Sequence, residues 1–299
     1  MNRLIKPLAI FAICAILLFS GCTEKVQENS SEAKTSDDKL VVAVSVLPQA
    51  EFVEQIGGDK VRTVVMVPPG TDPHAYEPTP GQLKNLSNAQ MYVKVGSGYS
   101  FETVSMDKLL SINSKMTVVN SSAGIKQIMI EDDPDGDTGL DPHVWTSPLN
   151  AKIMLKNIYD GLVAIDPDNE ATYKQNYDAY VSKLDEADAR LKTTLAGKEG
   201  SSFMVYHPAW AYLANDYGIH EIAVEMGGHE PSAKDMQNLI DEAKEKGIKV
   251  IFVQKGFSTA SAQTIAEQIG GEVVEVDPLA KDYIDNLDRV SNAFAKGLA

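Results

Sequence analysis

An α/β protein of two parallel-sheet lobes joined by one long, rigid helix is the fold the sequence predicts, on three observations. Short apolar, β-rich runs ending in turn residues recur at 40–47, 61–67, 90–95, 116–119, 203–206, 250–254 and 273–276. Helical patterns fill the intervals, and strands alternating with helices argue for parallel sheets covered by helical layers. The alternation breaks once, at 168–196, where Tyr173, Tyr177, Val181, Leu184, Ala187, Leu191 and Leu195 step by three or four residues. That spacing predicts one amphipathic helix of roughly 29 residues, about 40 Å long. Between two βα blocks such a helix reads as a strut; a surface helix on one larger domain fits the same pattern.

Taken in order, the 299 residues open with an export signal. Arg3 and Lys6 precede an apolar run over 8–19, shorter than the about 20 residues a membrane span needs but suited to a signal-peptide core. Ser20-Gly21-Cys22 resembles a lipobox, in which small residues admit the peptidase and the cysteine becomes the lipidated N-terminus. An uncleaved N-terminal anchor is the alternative. Residues 23–39 are rich in Ser, Glu, Lys and Asp and read as a solvated tether. The organisation expected is a leader over 1–21, a tether over 22–39, an N-terminal lobe over 40–166, the linking helix over 167–196 and a C-terminal lobe over 197–299. Asp166-Pro167 breaks the helix before the linker and starts the next. Further on, 231–246 reads as a helix stopped by Gly247.

Composition narrows the function. With 42 acidic and 27 basic side chains the formal charge is −15, and loss of Arg3 and Lys6 with the leader makes it −17. So acidic a surface has no electrostatic footprint for nucleic acid and merely permits cations. The 43% hydrophobic and 23% charged fractions are those of an ordinary globular chain. Cys14 lies in the leader and Cys22 at its edge, so the body has neither a disulfide nor a thiolate metal site and rests on its core.

Of five histidines, three stand in suggestive places. His74 follows the run 61–67, His143 precedes a helix that Ser147 and Pro148 would open, and His207 directly follows 203–206; Asp277 directly follows 273–276. Open α/β sheets place ligand sites at the carboxyl ends of their strands. Three imidazoles and one carboxylate would make a closed tetrahedral shell suited to zinc. A histidine near a turn is also commonly a hydrogen-bonded cap or surface residue, so spacing alone leaves both readings open.

A family resemblance bears on the choice. Asp-Pro-His-Ala-Tyr-Glu-Pro-Thr-Pro at 72–80 with 83–96, Asp-Pro-His-Val-Trp at 141–145 and Asp-Pro-Asp-Asn-Glu-Ala-Thr-Tyr at 166–173 resemble the zinc/manganese-binding proteins of ABC metal importers. So do His-Pro-Ala-Trp-Ala-Tyr-Leu at 207–213 with Tyr217-Gly218, Glu-Pro-Ser-Ala-Lys at 230–234 and Asp-Pro-Leu at 277–279. The resemblance runs in the family's order over 40–299. It implies two βα lobes joined by the long helix, a metal in the cleft between them, and His74, His143, His207 and Asp277 as ligands. It further implies a monomer held outside the cytoplasmic membrane, or in the periplasm, by a lipid on Cys22, and a membrane permease as partner.

In this family the third ligand tends to be Glu in manganese-type members and His in zinc-type members. His207 therefore puts Zn2+ first as cargo and Mn2+ second, as a neutral imidazole in place of a carboxylate favours the softer ion. The His-rich loop of many zinc-type members is replaced by Glu-Asp-Asp-Pro-Asp-Gly-Asp at 131–137, read as a solvated acidic loop ahead of weak ion recruitment. His220 and His229 are expected outside the ligand set, Asp72, Asp141 and Glu230 are candidates to orient ligand rings, and Trp145 and Trp210 are expected in the core.

The expected function is capture of a divalent metal, without catalysis, for an importer; binding weakens as imidazoles protonate, below about pH 6. A rigid linker predicts small local motion on release rather than wide hinge closure. A zinc hydrolase would need an open coordination position and a general base, for which the sequence offers no motif. A surface adhesin or structural lipoprotein is the remaining alternative.

Overall fold

The computed structural model describes residues 39–71, 76–129, 139–225, 229–255 and 260–298. The leader, Cys22, the tether, Asp72, His74 and the acidic loop over 131–137 lie outside the described residues.

Two four-stranded sheets, each wholly parallel, carry the fold. The first is built from β1 (Leu40–Val44), β2 (Val61–Val65), β3 (Met91–Lys94) and β4 (Thr117–Asn120) in the order β2-β1-β3-β4. The second is built from β5 (Ser202–Val205), β6 (His220–Ala223), β7 (Val250–Gln254) and β8 (Glu272–Val276) in the order β6-β5-β7-β8. Each sheet therefore reverses direction of winding beside its first strand, the place where open α/β sheets leave a crevice at the strand carboxyl ends.

The seven β-rich runs are all strands, with bounds within three residues of those expected. Leu47, expected at the end of the first strand, starts helix α1 (Leu47–Gly57), because Pro48 is pre-set for a first helical turn and Gln49 Oε1 accepts from the backbone N–H groups of Ser45 and Val46. The long helix α5 spans Glu170–Thr194, extended upstream by a 3₁₀ turn over Pro167–Asn169, and so stops two residues short of the expected 196. The strand not foreseen is β6, whose His-Glu-Ile-Ala is a half-polar edge strand without an apolar run.

Helices α2 (Pro80–Leu86), α3 (Ser100–Ile112) and α4 (Pro148–Ile165) complete the first half. Helices α6 (Ala211–Tyr217), α7 (Ala233–Glu245), α8 (Ala260–Ile269) and α9 (Tyr283–Gly297) complete the second. Ser147 caps α4, its hydroxyl accepting from Asn150 N at 3.0 Å, with Pro148 in the first turn as expected. On α4, Gly161 lets helix and sheet meet: a Cβ there would lie 2.5 Å from Val119 of β4. Gly218, at φ 68°, closes α6 in the left-handed conformation that glycine adopts without strain. Among the described residues no helix is long and apolar enough to cross a membrane.

Strand alternation sorts the second sheet into two buried faces. Met204, Tyr206, Ile251 and Val253 pack with α7 and α8 through Leu239, Ala243, Ile265 and Ile269. Phe203, Val205, Val250 and Phe252 face the other way and join a core continuous with that of the first sheet. There Phe294 of α9 stacks on Phe203 with ring centroids 4.4 Å apart, while Tyr283 meets Phe52 of α1 edge-on at 4.9 Å. Helix α5 is fastened to both sheets' helices. Asn176 donates to Ile56 O and Tyr180 to Glu51, both on α1, while Asp188 accepts from Tyr217 of α6 and Arg190 pairs with Asp288 of α9. The lobes are thus joined by a shared apolar core as well as by the strut.

Candidate metal centre

His207 stands two residues past β5, the strand at which the second sheet reverses. His143 is placed without a strand. Its segment leaves an isolated antiparallel bridge between Met129 and Leu140, then turns on Asp141 into a 3₁₀ turn over Val144–Thr146 and into α4. Between the bridge at Leu140 and the 3₁₀ turn, a carboxylate does the positioning. Asp141 Oδ1 accepts from both the backbone N and the ring Nδ1 of His143, each at 2.8 Å.

The 141–147 crosspiece is tied to both sheets' surroundings. Ser97, past β3, donates to Pro142 O at 2.7 Å. From the other side, Tyr212 of α6 donates to Asp141 O, Tyr283 of α9 donates to Trp145 O at 2.6 Å, and Ser147 donates to Asp216 of α6 at 2.5 Å. Trp145 Nε1 donates to Pro278 O at 2.8 Å, which fastens the Asp277-Pro278 turn to the His143 segment. Both tryptophans are core residues, 1% and 2% exposed, and the Trp145 ring also lies edge-on to His143 at 5.3 Å. Tyr212 is pushed up to about 12 by its burial and so remains a donor at neutral pH.

These ties bring two predicted residues together. His143 Nε2 and His207 Nε2 face each other at 3.3 Å, with ring planes near perpendicular. Each ring is backed by an acid: His143 Nδ1 by Asp141, and His207 Nδ1 by Glu225 Oε1 at 2.5 Å. Asp141 is 5% and Glu225 6% exposed. A carboxylate accepts, so both Nδ1 atoms donate, and each neutral ring then carries its lone pair on Nε2. Two lone pairs pointed at one another 3.3 Å apart repel unless a proton or metal cation lies between them. Two ligand bonds of about 2.0–2.1 Å at a tetrahedral angle span about 3.3–3.4 Å, so the spacing is that of two imidazoles on one zinc ion.

Asp277 directly follows β8 and its Oδ1 accepts from Leu279 N at 2.8 Å, while Asn286 Nδ2 donates to its carbonyl. It lines a cavity of about 470 Å³ whose wall also includes Leu47, at the start of α1, and Pro69, past β2. The structure does not bring Asp277 into the histidine pair: among the described residues no three His, Cys, Asp or Glu side chains lie close enough to hold a metal together. Glu230, a candidate to orient a ring, instead accepts from Ser261 and from Tyr206. Glu225 fills that role and was missed because its strand, β6, was missed; the signal was an acid just past a strand end. Glu221 of β6 accepts from Ala209 N and Trp210 N at 3.1 and 3.0 Å, holding the turn after His207. Burial, with the charge of Asp141 adding to it, pushes Glu221 up to about 8.

Comparison with known proteins agrees with this fold. The family described as zinc-uptake complex component A, periplasmic, matches residues 42–297. The high-affinity zinc uptake system protein ZnuA of Bacillus subtilis (strain 168) is 32% identical over 91% of this chain and 88% of its own length. The zinc-binding lipoprotein AdcA of Streptococcus pneumoniae (strain ATCC BAA-255 / R6) is 29% identical, and the match spans 54% of that longer protein. A crystal structure of ZnuA superposes with a TM-score of 0.82 at 40% identity, covering 87% of this chain and 99% of that one. A manganese-bound periplasmic metal-binding protein from Candidatus Liberibacter asiaticus superposes at 0.76 with 26% identity, covering 87% and 100%. With two parallel sheets, a long central helix and a match over nearly the whole described body, the chain belongs to the zinc-uptake complex component A family of periplasmic binding proteins.

Proposed function

We propose that this chain is the extracytoplasmic zinc-binding component of an ABC importer, holding Zn2+ between its lobes through His74, His143, His207 and Asp277 and surrendering it to the membrane permease. The observation that supports this reading is the His143–His207 pair, with Nε2 atoms 3.3 Å apart and both opposite nitrogens held by buried carboxylates. Histidine ligands commonly donate their second ring nitrogen to a carboxylate, which fixes the tautomer and strengthens the ligand. Zinc ranks ahead of manganese on the third imidazole at position 207, and the ZnuA and AdcA relatives named above are described as zinc proteins. Members of this family are cargo-binding components of importers and not enzymes.

The mechanism is stoichiometric. Ligands must be unprotonated to bind, so acid competes with the metal. Because the crosspiece bearing His143 is hydrogen-bonded to α6, α9 and the turn after β8, His143 and His207 keep their spacing without domain closure. Release then involves small local movements. Lipid attachment through Cys22, a monomeric state and a 131–137 loop without a chelating role complete the proposal.

Elemental analysis of the purified protein, paired with competitive titration of zinc against manganese, tests it. One zinc per chain, displaced by manganese at large excess and lost in His207→Ala but kept in His229→Ala, is the expected result. Full zinc binding by His207→Ala would overturn the ligand set.

A further inference from the structure

Glu225 does something for this site that Asp141 does not. The β5–β6 ladder continues past both strands, Val224 N donating to Val205 O at 2.8 Å and Glu225 N to Tyr206 O at 3.0 Å. Backbone pairing therefore sets Glu225 beside His207, one strand over, rather than a flexible loop. Asp141 divides its acceptor oxygen between a backbone N–H and the His143 ring. Glu225 gives Oε1 to His207 Nδ1 at 2.5 Å, and among the described residues this is the one hydrogen bond its side chain makes and no Lys or Arg pairs with it. At 6% exposure its charge is little screened by solvent, so it acts chiefly on the imidazole.

We propose that Glu225 is a specificity-determining positioning residue: through His207 it raises the site's preference for zinc over manganese. This rests on the reading of His207 as a ligand. The carboxylate has two effects that differ in kind. Its negative charge attracts any divalent ion alike. Its hydrogen bond to Nδ1 makes Nε2 a stronger donor, and that gain passes only through the metal–nitrogen bond, which counts for more in zinc than in oxygen-preferring manganese. The ratio of the two affinities isolates the second effect.

The test uses the full chain as wild type, Glu225→Gln, Glu225→Asp and His207→Ala. Zinc and manganese affinities are measured by competition, and the visible spectrum of the cobalt(II)-loaded protein reports the ligand field. Glu225→Gln offers a neutral amide oxygen in place of the carboxylate, so it removes the charge and also weakens the bond to Nδ1 that discriminates the two metals. It is expected to retain one metal per chain, lose roughly 10–100-fold in zinc affinity, lose less in manganese affinity, and shift the cobalt bands. Glu225→Asp, with the carboxylate withdrawn by one methylene, is expected to fall between wild type and Glu225→Gln in the zinc-to-manganese ratio. Equal losses for both metals, or zinc affinity within about threefold of wild type with unshifted cobalt bands, would overturn the inference while leaving the metal site standing. Wild-type zinc affinity in His207→Ala would instead overturn the ligand assignment beneath it.

Discussion

The two sheets share one strand order and use their carboxyl ends in opposite ways. At the end of β1, Ser45 donates to Glu102 and lies 2.9 Å from Tyr92 Oη, while Glu102 accepts from Val95 N and Gly96 N. Gln49 and Ser121 are buried beside them and bonded to each other at 3.0 Å. That network is closed: every polar group on it faces another. At the corresponding end of β5, Glu225 backs His207, and the ring's far nitrogen is turned outward to a second imidazole. Among the described residues, the β1–β3 end of the first sheet is filled by its own side chains, and the β5 end of the second is primed for a cation. Topology locates a crevice; whether its polar groups satisfy each other or converge on a third party decides if it binds anything.

Exchange of alanine for residues at the two ends should separate these roles. The largest effect belongs to the open end: His143→Ala is expected to lower zinc affinity at least about a hundredfold, by calorimetric competition, with little change in the melting temperature of the metal-free protein. The closed end should behave in reverse. Glu102→Ala leaves Val95 N, Gly96 N and Ser45 without their acceptor, and at about 1–3 kcal/mol for an unsatisfied buried group it should cost about 2–4 kcal/mol of stability in urea titrations. Its zinc affinity should stay within about threefold of wild type. A loss of zinc binding comparable to that of His143→Ala would erase the contrast.

A smaller effect sharpens the picture at the β5 end. Glu221 ionises in the unfolded chain near the ordinary value of about 4.5, and burial in the native protein pushes it up to about 8. Between those values the native state holds a proton that the unfolded state has released, so this group lowers stability as pH rises through the window. Glu221→Gln, which still accepts from the two N–H groups, removes that slope. In metal-free protein the variant should gain on wild type between pH 5 and pH 8 by about 1 kcal/mol or more, roughly 2–4 °C in melting temperature. A wild-type and variant difference independent of pH would count against a buried, protonated Glu221. Smallest of all, Arg190→Ala breaks a partly exposed pair with Asp288 between strut and α9 and should cost no more than about 1 kcal/mol.

Much of this was legible in the sequence, and the omissions share one physical origin. Buried parallel strands announce themselves as apolar runs, so Val-Val-Ala-Val in β1 and Val-Ile-Phe-Val in β7 were readable. The edge strand β6 has just two apolar residues in four, and losing it hid Glu225, which the same strand-end rule would have found. His143 was singled out by its place before the helix that Ser147 opens, and that cap together with a turn on Asp141 holds its segment. The strut's period was plain, yet Tyr180 is buried while Val181 is half-buried, because the helix is covered by α1, α4 and α9 in turn and its buried stripe drifts.

The central claim is that a cation bridges His143 and His207 while carboxylates hold their other ring nitrogens. Nitrogen-15 NMR of the imidazoles, before and after one equivalent of zinc, tests it directly. The account predicts that both Nε2 resonances move to metal-bound values while both Nδ1 atoms remain protonated. Stoichiometric zinc binding that leaves these two Nε2 resonances unmoved would contradict it.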